Sequence, residues 1–294
     1  MSYRQHKILS LSGQDFSKLG NAQLRDLFRQ TLEGGLHGLC YSAYEEGQQP
    51  GDILTEEQVR RRLKTIQPYT RWVRSFSCIE GNELVAKVAK ELGMKTMVGA
   101  WLGKDRELNE QEIQGLIKMA LDGLVDIAAV GNEVLYRDDL PKEELLGHLQ
   151  RVKAAIPEVA VGYVDAYYEF SQHPDISAAC DVILANCYPY WEGCSLEYSL
   201  VYMQQMYQQA VQAANGKPVI ITETGWPSQG EGLDGALPSE ENAMKYFINT
   251  QSWARKDKIP VFYFSSFDES WKVGAEGDVG AYWGIWDAKG ILKY

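Results

Sequence analysis

The chain has 294 residues, of which 45% are hydrophobic and 23% charged, close to the average for soluble globular proteins. This composition excludes intrinsic disorder, collagen-like repeats and a disulfide-dense scaffold. With 40 acidic residues against 29 basic ones, the formal net charge is -11. A surface this acidic repels phosphate backbones, so we expect no nucleic-acid partner.

The sequence carries no clear membrane or targeting signal. No stretch approaches about 18 consecutive apolar residues, so we expect no insertion into a membrane. Residues 1–10 lack the apolar run of a signal peptide, which leaves the location open. We expect a cytoplasmic protein, or a secreted or periplasmic one if a leader has been removed.

The cysteines and histidines do not form a ligand pattern. The five cysteines, an odd number without a CxxC pair, are predicted to be buried or incidental thiols. They are Cys40, Cys78, Cys180, Cys187 and Cys194. The histidines at positions 6, 37, 148 and 173 show no HExxH or similar spacing. We therefore expect no catalytic metal and no cofactor, and we expect the chain to act as a monomer.

Short runs rich in β-forming residues recur along the chain at intervals of roughly thirty residues. They span residues 37–42, 70–76, 95–99, 126–130, 159–164, 181–185, 218–222 and 260–265. The last two runs contain Val219-Ile220-Ile221 and Val261-Phe262-Tyr263-Phe264, which are continuously apolar. Such runs are typical of parallel strands that are buried on both faces.

Helical patterns with recognisable start signals lie between these runs. Thr55 and Gln58 can form a capping box before a helix. Asp139 precedes Pro141, after which leucines recur at helical spacing from Leu145. Ser239 is followed by two glutamates, which place negative charge at the positive end of a helix.

These alternating elements predict the architecture. Eight strand–helix units in about 250 residues match one TIM barrel, whereas an open doubly wound sheet, the alternative, usually has fewer strands. No Pro/Gly/Ser-rich linker divides the chain. The sequence therefore predicts an α/β protein in which residues 1–294 form a single (β/α)8 TIM barrel.

Two glutamates stand at the edge of this barrel where active sites lie, directly after a strand. Glu133 follows the fourth run in Gly131-Asn132-Glu133, and Glu223 follows the seventh. A carboxylate beside a buried strand must be paired, hydrogen-bonded or protonated. Two opposed carboxyl groups suit acetal hydrolysis, in which one protonates the departing oxygen while the other attacks carbon or activates water.

Aromatic residues follow the predicted strands as well. A ring of aromatic faces at a barrel mouth suits the apolar faces of sugars, and flanking amides and carboxylates suit sugar hydroxyls. The candidates are Tyr44, Trp101, Tyr136, Tyr167, Tyr188, Tyr190, Trp191, Trp226, Phe267 and Trp271. Asp165 and Asn186, at the ends of the fifth and sixth runs, are candidate contacts to sugar hydroxyls.

The segments that contain these residues resemble a known family. Residues 219–230, with Thr-Glu-Thr-Gly-Trp-Pro around Glu223, look like the nucleophile signature of family 17 of the glycoside hydrolases. The Asn132-Glu133 pair is similar to its acid/base strand, and residues 189–193 and 267–272 are similar to further family segments. The resemblance covers residues 38–287 and is closer to the bacterial and fungal branch than to the plant branch.

The resemblance implies a retaining enzyme that cleaves β-1,3-glucosidic bonds in laminarin-type glucans through a covalent glycosyl-enzyme. Glu223 would be the nucleophile and Glu133 the general acid/base. Asn132 would bind the 2-hydroxyl of the sugar that is attacked. Glu269 and Lys272 match charged residues near the site, and Trp271 would be a sugar platform. One departure is Gly280, where plant members carry a further glutamate.

The chemistry requires opposite protonation states for the two glutamates. Glu223 must be ionised to attack, so hydrogen-bond donors should stabilise its charge, and Arg74 at the end of the second run is the candidate partner. A purely structural ion pair of Arg74 is an equal alternative. Glu133 must keep its proton near neutrality, which a nearby negative charge and an apolar wall favour. We expect the two carboxyl groups to lie roughly 5 Å apart, as retention requires.

Other functions are weaker alternatives. The same barrel could transfer glucanosyl groups to a sugar hydroxyl, or it could bind β-glucan without catalysis. A phosphate-handling barrel would use backbone amides near Gly225 and Gly230, but acidic Glu231 and Asp234 disfavour an anion there. No GxSxG, GxGxxG or GxxxxGK[ST] motif is present, so neither serine hydrolase chemistry nor a nucleotide cofactor is expected.

Overall fold

The computed structural model describes residues 13–294 as a barrel of eight parallel strands. The strands run in the spatial order β7-β6-β5-β4-β3-β2-β1-β8, and a parallel bridge between Ile221 and Val261 joins its two ends. Their bounds are β1 Leu36–Cys40, β2 Thr70–Ser75, β3 Lys95–Ala100, β4 Ile127–Asn132, β5 Ala160–Ala166, β6 Ile183–Asn186, β7 Val219–Glu223 and β8 Phe262–Tyr263. The predicted (β/α)8 fold is confirmed. Residues 1–10, which in sequence lack the apolar run of a signal peptide, lie outside the described residues.

The eighth strand is much shorter than the predicted run, residues 260–265. The backbone amide of Phe264 donates to Thr224 O, that of Ser265 to Trp283 O, and that of Ser266 to Cys40 O. After Tyr263, successive residues therefore form hydrogen bonds with three different segments of the chain. The strand ends there because it no longer pairs with one neighbouring strand.

Helices cover the outside of the barrel. They are α1 Asn21–Glu33, α2 Glu56–Ile66, α3 Glu83–Glu91, α4 Arg106–Leu121, α5 Lys142–Ala155, α6 Glu169–Gln172, α7 Pro174–Ala179, α8 Leu196–Ala213, α9 Glu240–Asp257 and α10 Val273–Glu276. α1 precedes β1 and packs against α9, with the rings of Phe28 and Phe247 4.7 Å apart. α1 thus covers the seam next to β8. Across residues 13–294, the length and apolarity needed to cross a bilayer are not found together in any helix.

The predicted helix starts are partly correct. Thr55 Oγ1 accepts from the Gln58 amide at 3.3 Å, but the Gln58 side chain donates to Ala43 O at 2.7 Å and does not complete a capping box. Ser239 Oγ accepts from the Asn242 amide at the start of α9, as predicted. Asp139 does not cap α5, because its carboxylate accepts a hydrogen bond from Arg137 Nε instead.

Four of the five cysteines are buried and Cys194 is partly exposed, and all five are free thiols. This confirms the prediction that they are not part of a disulfide framework.

The close approach of two strand ends depends on Gly225. A Cβ added there would collide with the Phe264 carbonyl oxygen and press on the Trp283 ring. Gly147 in α5 is the opposite case, because no atom lies within 4 Å of an added Cβ.

We therefore expect Gly225→Ala to lower the free energy of unfolding by about 2 kcal/mol or more, because a backbone carbonyl cannot yield as a flexible side chain can. The matched control Gly147→Ala should raise it by about 0.5–1 kcal/mol, because alanine favours a helix over glycine. Urea unfolding of both variants measures the difference, and equal effects would contradict the close contact.

Candidate active site

The two predicted catalytic glutamates lie at the carboxyl ends of β4 and β7. Asn132 is the last residue of β4 and Glu133 follows it, while Glu223 is the last residue of β7. Glu133 adopts the left-handed conformation, with φ of 52°, and its carbonyl accepts from the Arg137 amide at 2.9 Å. This turn ends the strand at Glu133, and 26% of the Glu133 side chain stays exposed.

Both carboxylate oxygens of Glu223 accept hydrogen bonds. Arg74 Nη1 donates to Oε1 at 2.5 Å, and the Tyr188 hydroxyl donates to Oε2 at 2.8 Å. Arg74 Nη2 also donates to Asn132 Oδ1 at 2.6 Å, so one buried guanidinium joins Asn132 to Glu223. Arg74 is therefore the partner of Glu223 that the sequence predicted. These donors orient the carboxylate.

Glu133 lies in a different environment. Its Oε1 accepts from Asn186 Nδ2 at 2.8 Å, and Asn186 Oδ1 accepts from Thr222 Oγ1 at 2.8 Å. Burial and then the charge of Glu223 raise the pKa of Glu133 to about 7. A carboxyl group in this condition keeps its proton near neutral pH, as the prediction for an acid required.

Asp165 and Asn186 are not free to bind sugar hydroxyls as predicted. Asp165 is completely buried, and its carboxylate accepts from the Tyr163 hydroxyl and from the backbone amides of Ala166 and Tyr136. Asn186 is 3% exposed and uses both ends of its amide on protein groups. Asp165 lies inside β5 and Asn186 ends β6, and in both cases neighbouring protein groups already use the polar atoms that a sugar would need.

The predicted aromatic ring divides into exposed and buried members. Trp101 is 42% and Trp191 40% exposed, and Tyr167 and Trp271 are partly exposed. Trp226 is 2% exposed, and its indole donates to Leu237 O at 3.0 Å. Trp226 is therefore part of the core and not a sugar contact, because the rings of Tyr190 and Tyr246 pack against it with centres 5.3 Å away.

Two further tyrosines of the predicted ring, Tyr188 and Tyr44, form hydrogen bonds within the protein. The hydroxyl of Tyr188 binds Glu223, and its ring packs edge-on against Phe264 and Trp283. Tyr44 is 8% exposed, and its hydroxyl accepts from Asn82 Nδ2 at 3.2 Å. Tyr44 is therefore buried, whereas Tyr188 stays partly exposed beside Glu223.

Lys272 and Glu269 form a buried pair near Glu223. Lys272 Nζ lies 2.9 Å from Glu269 Oε2 and 4.1 Å from the centre of the Phe264 ring. Although burial acts in the opposite direction, Glu269, Glu276 and Glu223 together raise the pKa of Lys272. The resemblance predicted both residues of this pair near the site.

The sequence analysis missed Glu276. Burial raises the pKa of this carboxyl to about 7, while Lys272 opposes the shift and Glu269 and Glu223 add to it. A Cβ at Gly280 would lie 2.9 Å from Glu276 Cβ and 2.6 Å from Lys272 O, so a glutamate would not fit at position 280. Glu276 brings a carboxylate to Lys272 from four residues further along the chain. The four-residue spacing between Lys272 and Glu276 was the feature of the sequence that could have indicated this contact.

The described residues offer no ready metal site. Within 13–294, no group of three or more His, Cys, Asp or Glu side chains could hold a metal ion.

Comparisons with known proteins agree with this geometry. Residues 38–284 match the BtgE/BtgC glycoside hydrolase domain. The glucan 1,3-beta-glucosidase of Saccharomyces cerevisiae is 26% identical over 269 residues, which are 83% of this chain and 86% of that protein. The glucan 1,3-beta-glucosidase of Candida albicans is 28% identical over 79% of this chain and 83% of its own.

A similar solved structure is the family 17 β-1,3-glucanosyltransferase of Rhizomucor miehei. It superimposes with a TM-score of 0.79 and 29% sequence identity over 90% of this chain and 96% of its own.

Arg74 should be essential for the stability of this site. We expect Arg74→Met to lower the free energy of unfolding by about 3 kcal/mol or more, because it leaves the Glu223 charge buried without a cation. Adding Glu223→Gln to Arg74→Met should recover part of that loss, as measured by urea unfolding. Arg106→Met, which breaks an exposed pair with Glu144, is the control and should cost less than about 1 kcal/mol. A similar cost for both arginines would contradict the assignment.

Proposed function

The chain belongs to the BtgE/BtgC glycoside hydrolase family, and on this premise we propose that it is a retaining enzyme acting on β-1,3-glucosidic bonds of β-glucans. The β-1,3 specificity is supported by the printed activities of the yeast and Rhizomucor miehei relatives. The catalytic assignment is supported by one observation above all. Glu223 is a carboxylate with a hydrogen-bond donor on each oxygen. Its charge acts on Glu133, a carboxyl group that keeps its proton near neutral pH.

The first step forms a covalent bond between Glu223 and the anomeric carbon. Arg74 and Tyr188 fix the carboxylate so that it needs no reorientation before it attacks. As the glycosidic bond breaks, Glu133 gives its proton to the departing oxygen, which leaves as a hydroxyl group. Asn132, held by Arg74, presents its amide to the 2-hydroxyl of the same sugar.

The second step releases the sugar with its original configuration. Esterification removes the charge of Glu223, which was one cause of the raised pKa of Glu133. Glu133 then takes a proton from water, whose oxygen attacks the anomeric carbon and breaks the ester bond. Two displacements at one carbon retain its configuration, and the carboxyl separation that they require is roughly 5 Å.

Transfer to another glucan is the second candidate function. The likeness to a β-1,3-glucanosyltransferase favours it, and so do the exposed indoles of Trp101 and Trp191. An acceptor sugar stacked on such a ring would present its hydroxyl to the glycosyl-enzyme in place of water.

We further propose that the 294 residues form one catalytic domain that acts as a monomer without membrane insertion or nucleic acid. All the residues named in the mechanism belong to one chain and one barrel edge. Light scattering after size-exclusion chromatography tests the oligomeric state.

The nucleophile is tested by Glu223→Ala. We expect turnover of laminarin to fall by roughly 10⁴-fold or more, because no group remains to form the covalent bond. With an activated aryl β-glucoside, azide should restore part of the activity and yield the α-glycosyl azide, which NMR identifies. Retention of most wild-type activity by Glu223→Ala would overturn the assignment.

The acid is tested by pH. Because the pKa of Glu133 is raised from 4.5 to about 7, its proton is present below pH 7 and is lost above it. We therefore expect kcat/KM for laminarioligosaccharides to fall above about pH 7. An aryl glucoside with a good leaving group should show no such fall, because its departure needs no proton. The control is Glu112→Gln, which should leave the fall of kcat/KM above pH 7 unchanged. Burial also raises the pKa of Glu112 to about 7, but this carboxyl group accepts hydrogen bonds from Ser77 and Cys78 and has no role in the proposed mechanism.

Products separate hydrolysis from transfer. Mass spectrometry of a time course on laminaripentaose should show oligosaccharides longer than the substrate if transfer occurs, and only shorter ones if hydrolysis dominates. The Trp191→Ala variant should reduce the longer products more than total turnover. Binding of laminarin without any product from the wild type would favour the non-catalytic alternative.

A further inference from the structure

Arg137 connects the proposed acid to an exposed aromatic ring. It lies four residues after Glu133 in the turn that follows β4, and its Nη1 is 3.8 Å from Glu133 Oε2. Its Nε donates to Asp139 Oδ2 at 2.8 Å, and its guanidinium carbon lies 4.6 Å from the centre of the Trp101 ring. A carboxylate and an indole therefore hold the guanidinium beside Glu133.

We propose that Arg137 is a positioning residue that holds a positive charge at the proton-bearing oxygen of Glu133 and promotes both proton transfers of the reaction. This inference rests on the proposed role of Glu133 as acid/base.

The two oxygens of Glu133 are not equivalent. Oε1 accepts from Asn186 Nδ2, so the proton of the neutral carboxyl group belongs on Oε2, the oxygen that faces Arg137. Arg137 Nη2 is also buried and has no hydrogen-bond partner among residues 13–294. When Glu133 gives up its proton, Oε2 becomes a charged acceptor next to this unused donor.

The surrounding charges make this cation important. Glu223 on β7 and Asp165 on β5 both raise the pKa of Glu133, in addition to burial. Asn186 on β6 and Arg137 lower it. Burial and then the charge of Glu223 raise the pKa of Tyr188, and the charge of Glu133 adds to the rise. Arg137 therefore supplies positive charge against two carboxylates.

The consequence differs between the two steps. In the first step, Glu133 becomes negative as its proton leaves, and Arg137 stabilises that charge. In the second step, Glu133 must remain ionised until it accepts a proton from water or a sugar hydroxyl, and the same cation keeps it so. Without the cation, Glu133 would release its proton less readily in the first step, and a smaller fraction of it would be ionised to accept a proton in the second.

The direct test is a titration that does not depend on activity. Carbon-13 NMR of glutamate-labelled protein, with the Glu133 signal assigned through Glu133→Gln, measures the pKa of Glu133 in the wild type and in Arg137→Gln. We expect the pKa to rise by about one pH unit in Arg137→Gln, since an opposite charge within a few ångströms lowers a carboxyl pKa by about that amount or more. Arg137→Lys should give a smaller rise.

Kinetics supply the second readout. In Arg137→Gln, the fall of kcat/KM at high pH should move upward by the same amount. Below the pKa of Glu133, the kcat for an aryl glucoside limited by the second step should fall about tenfold, because a pKa higher by about one unit leaves about a tenth as much Glu133 ionised to act as base. Arg151→Gln, which removes an arginine paired with Glu110 on the outer helices, is the matched control and should leave both quantities unchanged.

The outcomes separate the two proposals. An unchanged Glu133 pKa in folded Arg137→Gln, with a pH profile like that of the wild type, would overturn the role of Arg137. If Arg137→Gln does not fold, the same titration of the neutral variant Arg137→Met decides, and no rise there would also overturn it. Absence of activity on β-glucans in the wild type would instead overturn the proposed function, while the NMR titration would still decide whether Arg137 controls Glu133.

Discussion

The buried ion pair between Arg74 and Glu223 is the constraint on which the site depends. Removing a carboxylate from water costs several kcal/mol unless a cation and further donors replace the lost hydration. One guanidinium meets this need and also holds Asn132, so β2, β4 and β7 are joined at their carboxyl ends. The barrel brings these strand ends together, and the ion pair fixes their relative positions.

This arrangement gives two chemically identical side chains opposite properties. Glu223 receives donors on both oxygens, whereas Glu133 accepts one neutral amide, has Arg137 only at 3.8 Å and faces the negative charge of Glu223. The difference therefore arises from their partners and not from depth alone. Hydrogen bonds form a second connection between the two glutamates. Thr222, which precedes Glu223 on β7, donates to Asn186, and Asn186 donates to Glu133.

The sequence predicted the features that depend on local pattern and on chain order. Apolar runs located all eight strands, and the position after a strand identified Glu133, Glu223 and Arg74. It could not separate Trp226 from Trp191, because both follow strands and only the packing of the folded chain buries one indole and leaves the other exposed. Asp139 failed as a helix cap for a related reason, since Arg137 competes for its carboxylate.

Glu276 has a wider consequence for how such sites are compared. Gly280 leaves no space for a larger side chain, yet a carboxylate still acts on Lys272 from another turn of the same segment. A comparison of position 280 alone would find no acidic residue, although Glu276 places negative charge near Lys272. A carboxylate at another position of the same segment can therefore supply the charge that acts on this amine.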